Sequence, residues 1–111
     1  MRIKRARQIL KAFSDDTRLR IINLLEKEEL AVNEICRTLG KNQSIISKHL
    51  TRLRLTGIVR DRRNGIKVYY CMVRLKDRHS NRLVRSIAQG ISGMETFRGD
   101  LKKLRRLKKK R

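Results

Sequence analysis

In 111 residues the chain carries 31 Lys and Arg against 10 Asp and Glu, a formal charge of +21 that repels the compact state of so small a body and attracts polyanions. Nucleic acid is the first partner this predicts and a membrane surface the second. There is, however, no apolar run of about 18 residues to span a bilayer and no stretch of signal-peptide length after the basic start, so one cytoplasmic domain with no membrane partner is expected.

Ile3, Ala6, Ile9, Leu10 and Phe13 recur at three- and four-residue spacing and predict an amphipathic first helix with a basic opposite face. Ser14-Asp15-Asp16 offers N-cap oxygens and negative charge to a second helix over about 15–26, built on Leu19, Ile21, Ile22, Leu24 and Leu25. Glu26-Lys27-Glu28-Glu29 reads as a solvated connection. Val32, Ile35, Cys36 and Leu39 mark a short third helix stopped at Gly40. Asn42 caps a fourth, over about 43–56, that buries Ile46, Leu50 and Leu53 and turns Gln43, Ser44, Ser47, Lys48, Thr51 and Arg54 outward.

Gly57 ends that helix, and Asn64-Gly65 signals a hairpin with a type I′ turn, in which both central residues need positive φ. The near strand covers about 58–63. Beyond the turn, Ile66, Val68, Tyr70 and Met72 alternate with Lys67, Tyr69, Cys71 and Val73 at strand period. Leu83, Val84, Ile87, Ile91 and Met94 predict a helix over about 78–94, weakened by Gly90 and Gly93. From Leu101 onward, 8 of the 11 residues are Lys or Arg. The expected organisation is a domain over 1–97 and a basic tail over 98–111, disordered when free and able to become helical on a polyanion.

Charge is unevenly spread: Lys41 to Lys76 holds ten basic residues and one acid, Asp61, which gives the domain a positive side containing the hairpin. Two short helices joined by a Gly-containing turn, the second exposing small polar and basic groups, form a helix-turn-helix. Such a face is short enough to approach base edges in a major groove, and the hairpin after it is then a wing. The fold class expected is mainly α with a two-stranded β-hairpin wing, a winged helix-turn-helix. Catalysis is not expected: the chain holds no G-x-S-x-G, no phosphate-cradling glycine loop and no acidic metal cluster, and points to no cofactor or small-molecule substrate.

"FSDDTRLRIINLL" (13–25), "ELAVNEICRTLGKNQSIISKHLTRLRLTGIVRDRRNG" (29–65) and "KVYY" (67–70) resemble the ArsR/SmtB family of arsenic-repressor-like winged-helix transcriptional regulators. Its most recognisable run, Gln-Ser-x-x-Ser-x-His-Leu followed by Leu-x-x-x-Gly-Ile/Leu-Val, is present from Gln43 to Val59. The resemblance implies a two-fold dimer through the first and last helices, here the stripes of Ile3, Ala6 and Leu10 and of Leu83, Ile87, Ile91 and Met94. It implies base reading by Gln43, Ser44, Ser47 and Lys48, with Thr51, Arg52 and Arg54 as further contacts. It also implies that Arg62, Arg63, Asn64 and Lys67 belong to a wing that reaches phosphates or the minor groove. His49 is assigned to helix packing.

The C-x-C pair of metal-sensing members falls on Ala31 and Asn33, and Asp77 and His79 have no second His later in their helix, so no metal site is expected. Cys36 is read as packing and Cys71, beside basic residues, as the candidate thiol. These readings converge on a sequence-specific double-stranded-DNA-binding repressor that takes a palindromic operator as a homodimer. The alternatives are a low-specificity, chromatin-like DNA-coating protein and a thiol- or metal-responsive repressor.

Overall fold

The computed structural model describes residues 1–109 as six helices and one small sheet. Helices α1 (Ile3–Ala12), α2 (Asp16–Leu25), α3 (Val32–Leu39) and α4 (Gln43–Leu55) precede the hairpin β2 (Val59–Asn64) and β3 (Lys67–Met72); α5 (Arg78–Ile91) and α6 (Glu95–Lys109) follow it. Ile9, Ile21, Ile22, Leu24, Leu30, Ile35, Ile46, Leu50, Leu53, Ile58, Val59 and Val84 are completely or almost completely buried, so every helix from α1 to α5 contributes to one core.

Caps set the helix starts. Asp15 accepts from the Arg18 N–H at 3.0 Å, Asn42 Oδ1 from the Ile45 N–H at 2.9 Å, and Asp77 from the His79 and Ser80 N–H groups at 3.3 Å each. Gly40 ends α3 at φ 65, where a left-handed residue lets the chain turn sharply into α4.

The sheet corrects the expected two-stranded hairpin. A third strand, β1 (Leu30–Ala31), pairs antiparallel with β3 in the order β1-β3-β2, aligning Leu30 with Tyr70 and Ala31 with Tyr69. Two residues carry no readable alternation, which is why β1 was invisible in the sequence. The turn is shifted as well. Asn64 pairs with Lys67, so the two loop residues are Gly65 and Ile66; Gly65 has φ +65, and among the described residues none other than glycine has positive φ. Positive φ at the first central position alone fits a type II′ turn, not type I′. Ile66 consequently sits at the tip, 97% exposed, and not on the inward face of β3.

The acidic connection is not free in solvent either. Glu26 Oε2 accepts from Arg85 of α5 at 2.7 Å, Glu28 pairs with Lys108 of α6, and Glu29 binds Arg62 of β2. Residues 98–109 depart furthest from expectation. They belong to α6, which packs on α2 and α3 with Phe97, Asp100 and Leu104 buried. Arg20 of α2 donates through Nε and Nη2 to the two Asp100 oxygens, each at 2.9 Å, and Asn23 Nδ2 donates to the Phe97 carbonyl at 3.0 Å. A run of like charge opposes helix formation, but Phe97 and Leu104 dock an apolar stripe and Asp100 supplies a buried anion for Arg20.

Candidate nucleic-acid interface

Helix α4 is fixed from three sides. Ile46, Leu50 and Leu53 are fully buried, Asn42 caps its first turn, and Arg5 of α1 donates through Nη1 to the Thr56 carbonyl at its end, at 2.6 Å. Gly57 follows at φ +82, a conformation side chains rarely adopt. With the inward face locked, Gln43, Ser44, Lys48, Thr51, Arg52 and Arg54 are exposed and Ser47 half-buried. Among the described residues none of these seven side chains has a hydrogen-bond or ion-pair partner. A face of donors and acceptors with no internal partners on a rigid helix is available to a ligand.

Ser44, Ser47, Lys48, Thr51 and Arg52 line an open cleft of about 1080 Å³ between α4 and the helices α1 and α2. Gln43 and Arg54 lie on the far flank of α4, outside it. Its positive lining comes from Arg5, Lys11, Arg18, Lys48 and Arg52, and no acid lines it. Arg5, Gln8 and Lys11 were missed by the sequence reading, which assigned α1 to dimerisation; the one signal for them was the basic face of α1.

His49 packs between helices, as its position on the flank of the buried face predicted. Its Nδ1 lies 3.3 Å from Arg18 Nη1 and 3.6 Å from Asp15 Oδ2. Arg18 also donates through Nε to the Ala12 carbonyl at 2.7 Å, closing the end of α1. Partial burial acts to raise the Asp15 carboxyl, but the Arg18 N–H and the charges of His49 and Arg18 outweigh it and hold Asp15 below its ordinary pKa.

On the wing, Arg63, Asn64 and Lys67 are exposed, and among the described residues their side chains have no hydrogen-bond or ion-pair partner. Arg62 differs. Its Nε and Nη2 donate to Glu29 Oε2 and Oε1 at 2.9 and 2.6 Å, and its guanidinium stacks 4.6 Å from the centre of the Tyr69 ring. That hydrogen-bonded pairing lowers the Glu29 pKa and raises that of Arg62. Arg60, exposed and on the same sheet face as Arg62, is another basic residue the sequence reading passed over.

The residues assigned to dimerisation lie on α1 and α5, which pack against each other, except Met94, which sits in the turn between α5 and α6. Ile3, Leu10 and Met94 are 82%, 53% and 55% exposed, while Ala6, Leu83, Ile87 and Ile91 are half-buried. Leu83 and Ile87 also pack on the chain's own core. Both cysteines are half-buried and are not joined to each other. Burial raises the Cys36 thiol above its ordinary value, which disfavours the reactive thiolate. Asp77 is occupied as the α5 cap, its pKa lowered first by the Ser80 hydroxyl, and among the described residues no three His, Cys, Asp or Glu cluster as a metal site would require. No helix among them is long and apolar enough to cross a membrane.

Residues 15–61, from the α2 cap into β2, match the model of the arsR family of bacterial regulatory proteins. An HTH-type transcriptional regulator of Methanocaldococcus jannaschii is 42% identical over 63% of this chain and 80% of its own length. The arsenical resistance operon repressor of Escherichia coli is 44% identical over 57% of this chain and 55% of its own. The chain spans about half the length of that repressor, as it does of other curated relatives it matches, at 49% and 57%. Among solved structures, the homodimeric winged helix-turn-helix DNA-binding domain of a possible ArsR-family regulator from Mycobacterium bovis superposes with a TM-score of 0.66 at 29% identity, over 81% of this chain and 80% of that one. On these matches and the winged helix-turn-helix described above, the chain belongs to the arsR family of bacterial regulatory proteins.

Proposed function

We propose that this protein is a sequence-specific, double-stranded-DNA-binding transcriptional repressor that occupies a palindromic operator as a homodimer in the cytoplasm. The observation that carries the reading is the partnerless polar face of α4 beside an acid-free cationic cleft. Gln43, Ser44, Ser47, Lys48 and Thr51 enter the major groove; Arg52 and Arg54, with Arg5 and Lys11 of the cleft, grip phosphates. The wing contributes Arg63, Asn64 and Lys67 directly, and Arg62 by exchanging Glu29 for a phosphate.

Ile3, Ala6 and Leu10 with Leu83, Ile87, Ile91 and Met94 close the dimer, which sets the two α4 helices about 34 Å apart, one DNA turn. Support for the dimer comes from the exposure of Ile3, Leu10 and Met94 and from the homodimeric Mycobacterium bovis relative. Repression by occupancy needs neither a catalytic residue nor a cofactor, and the Escherichia coli relative is named a repressor.

The basic surface of α6 favours a second reading, a DNA-coating protein with little sequence preference. Selection of bound fragments from random DNA separates the two. A repressor enriches one palindromic motif and prefers it over random sequence by at least about 10³; a ratio near one establishes the coating protein instead.

A further inference from the structure

Helix α6 carries a charged surface that α4 and the wing do not account for. Arg98, Lys102, Arg105, Arg106 and Lys109 are all exposed, and at about 100° per residue they fall within one sector of roughly 100° on the helix. None has an acidic partner among the described residues. Such a stripe is often only a solvated face. Here, however, like charges are held together on a helix that its buried side chains and the Arg20–Asp100 pair keep folded against their repulsion.

The stripe does not face the DNA read by α4. Arg18 and Arg20 are two positions apart in α2, so they point roughly 200° apart. Arg18 reaches His49 of α4, and Arg20 reaches Asp100 of α6. The two helices therefore flank opposite sides of α2, and the α6 stripe, opposite its own buried face, looks further outward. At helix spacings of about 8–10 Å, a straight duplex on α4 lies about 20 Å from it.

We propose that the α6 stripe is a second DNA site, taking the phosphate backbone of a duplex other than the one held by α4, so that the protein bridges two DNA segments. The inference rests on the reading of α4 as the operator-binding helix. From Arg98 to Lys109 the stripe is about 16 Å long, and one DNA strand presents a charge per about 3.4 Å, so about five phosphates meet the five cations. An anionic membrane fits less well, because Phe97 and Leu104 are buried in the core and leave α6 no apolar face to insert. Single strands fit less well too: the stripe has no aromatic side chain on which bases can stack.

The test immobilises a duplex selected from random DNA, loads the full-length protein, and measures retention of a labelled random-sequence duplex added in solution. Wild type retains the label. The variant Arg98→Gln/Lys102→Gln/Arg105→Gln/Arg106→Gln/Lys109→Gln keeps every buried contact of α6, stays on the immobilised duplex, and loses retention about tenfold or more, with the salt slope of retention reduced by about 4.5. Should that variant lose its helical circular dichroism, the charge reversal Lys102→Glu/Arg105→Glu carries the test.

Undiminished retention by a folded variant overturns the proposal, since the two α4 helices then do the bridging. Loss of the variant from the immobilised duplex also overturns it, placing α6 on the first DNA. Capture of wild type, but not variant, by phosphatidylserine vesicles with no retained duplex makes a lipid surface the occupant. If the selection yields no motif, the operator reading fails while the retention result stands by itself.

Discussion

Arg62 is bound by Glu29 through two hydrogen bonds of 2.6 and 2.9 Å while its plane rests on Tyr69, so this cation of the wing is neutralised within the chain. The pair is solvent-exposed, and such pairs contribute little to stability. Its consequence is for binding: Glu29 competes with a phosphate for the same guanidinium. Glu29→Gln should therefore raise affinity for every duplex several-fold and steepen the salt slope by about 0.9, one added phosphate contact. Titrations of a labelled duplex over a salt series check this, with the melting temperature little changed. An unchanged slope means that Arg62 does not exchange partners.

Two positions on α4 should respond in opposite ways. Gln43 is exposed in the first turn, and a Gln amide can bond an adenine edge at two points. Gln43→Ala should cost about 1–3 kcal/mol at one base pair per half-site, with the salt slope intact. Arg52→Ala, at an exposed phosphate-gripping position, should weaken all sequences alike and lower the slope by about 0.9. Repeating the fragment selection with both variants tells them apart: only Gln43→Ala should change the enriched motif.

The helices that build the reading head were legible because their signals are local. Asn42 and Asp15 are caps three residues ahead of the N–H they bind, and Ile46, Leu50 and Leu53 repeat at helical spacing. What the sequence hid depends on partners distant in the chain. Asp100 reads as one acid in a basic run until Arg20, 80 positions away, meets it. Phe97 fell just before the boundary drawn on composition, so the apolar stripe of α6 was cut in two. Glu26, Glu28 and Glu29 read as solvated because Arg85, Lys108 and Arg62 cannot be assigned to them by spacing. The same applies to Arg5 at the cleft, whose partner is the Thr56 carbonyl.

The exposed apolar residues of α1 predict a solution property. Leu10 is 53% exposed and makes little contribution to the chain's own core, so Leu10→Glu should leave the fold intact and oppose self-association. Sedimentation velocity should show wild type as a dimer and the variant as a monomer, with the variant's operator affinity falling toward that of one half-site. A wild-type monomer ends the two-fold reading of the operator.

Acid should unfold the protein in a defined window. The Asp15, Glu29 and Asp77 carboxyls all have folded pKa values below their ordinary values. A carboxylate depressed in the folded state stabilises it fully above the unfolded-state pKa, about 4, and loses that contribution as pH falls through the lower folded value. Urea midpoints should therefore hold from neutral pH down to about 5 and drop below about 4. A midpoint that rises on acidification would contradict the three pairings.

The attachment of α6 turns on the Arg20–Asp100 pair, because the helix must overcome its own charge. Asp100→Asn keeps the size of the side chain and removes the anion, so Arg20 loses a charge-assisted, two-point contact worth about 1.5–3 kcal/mol. Without it, repulsion along the cationic stripe favours detachment of α6, while α4, capped by Asn42 and anchored by Ile46, Leu50 and Leu53, stays in place. Hydrogen exchange should show α6 amides losing protection in Asp100→Asn and α4 amides retaining it. Added salt should partly restore α6, since ions screen the repulsion between exposed like charges within a Debye length of about 10 Å at 0.1 M. If salt instead loosens α6 further in the variant, the remaining attractions Glu28–Lys108 and Asn23–Phe97 govern its attachment, and the stripe's self-repulsion is the smaller force.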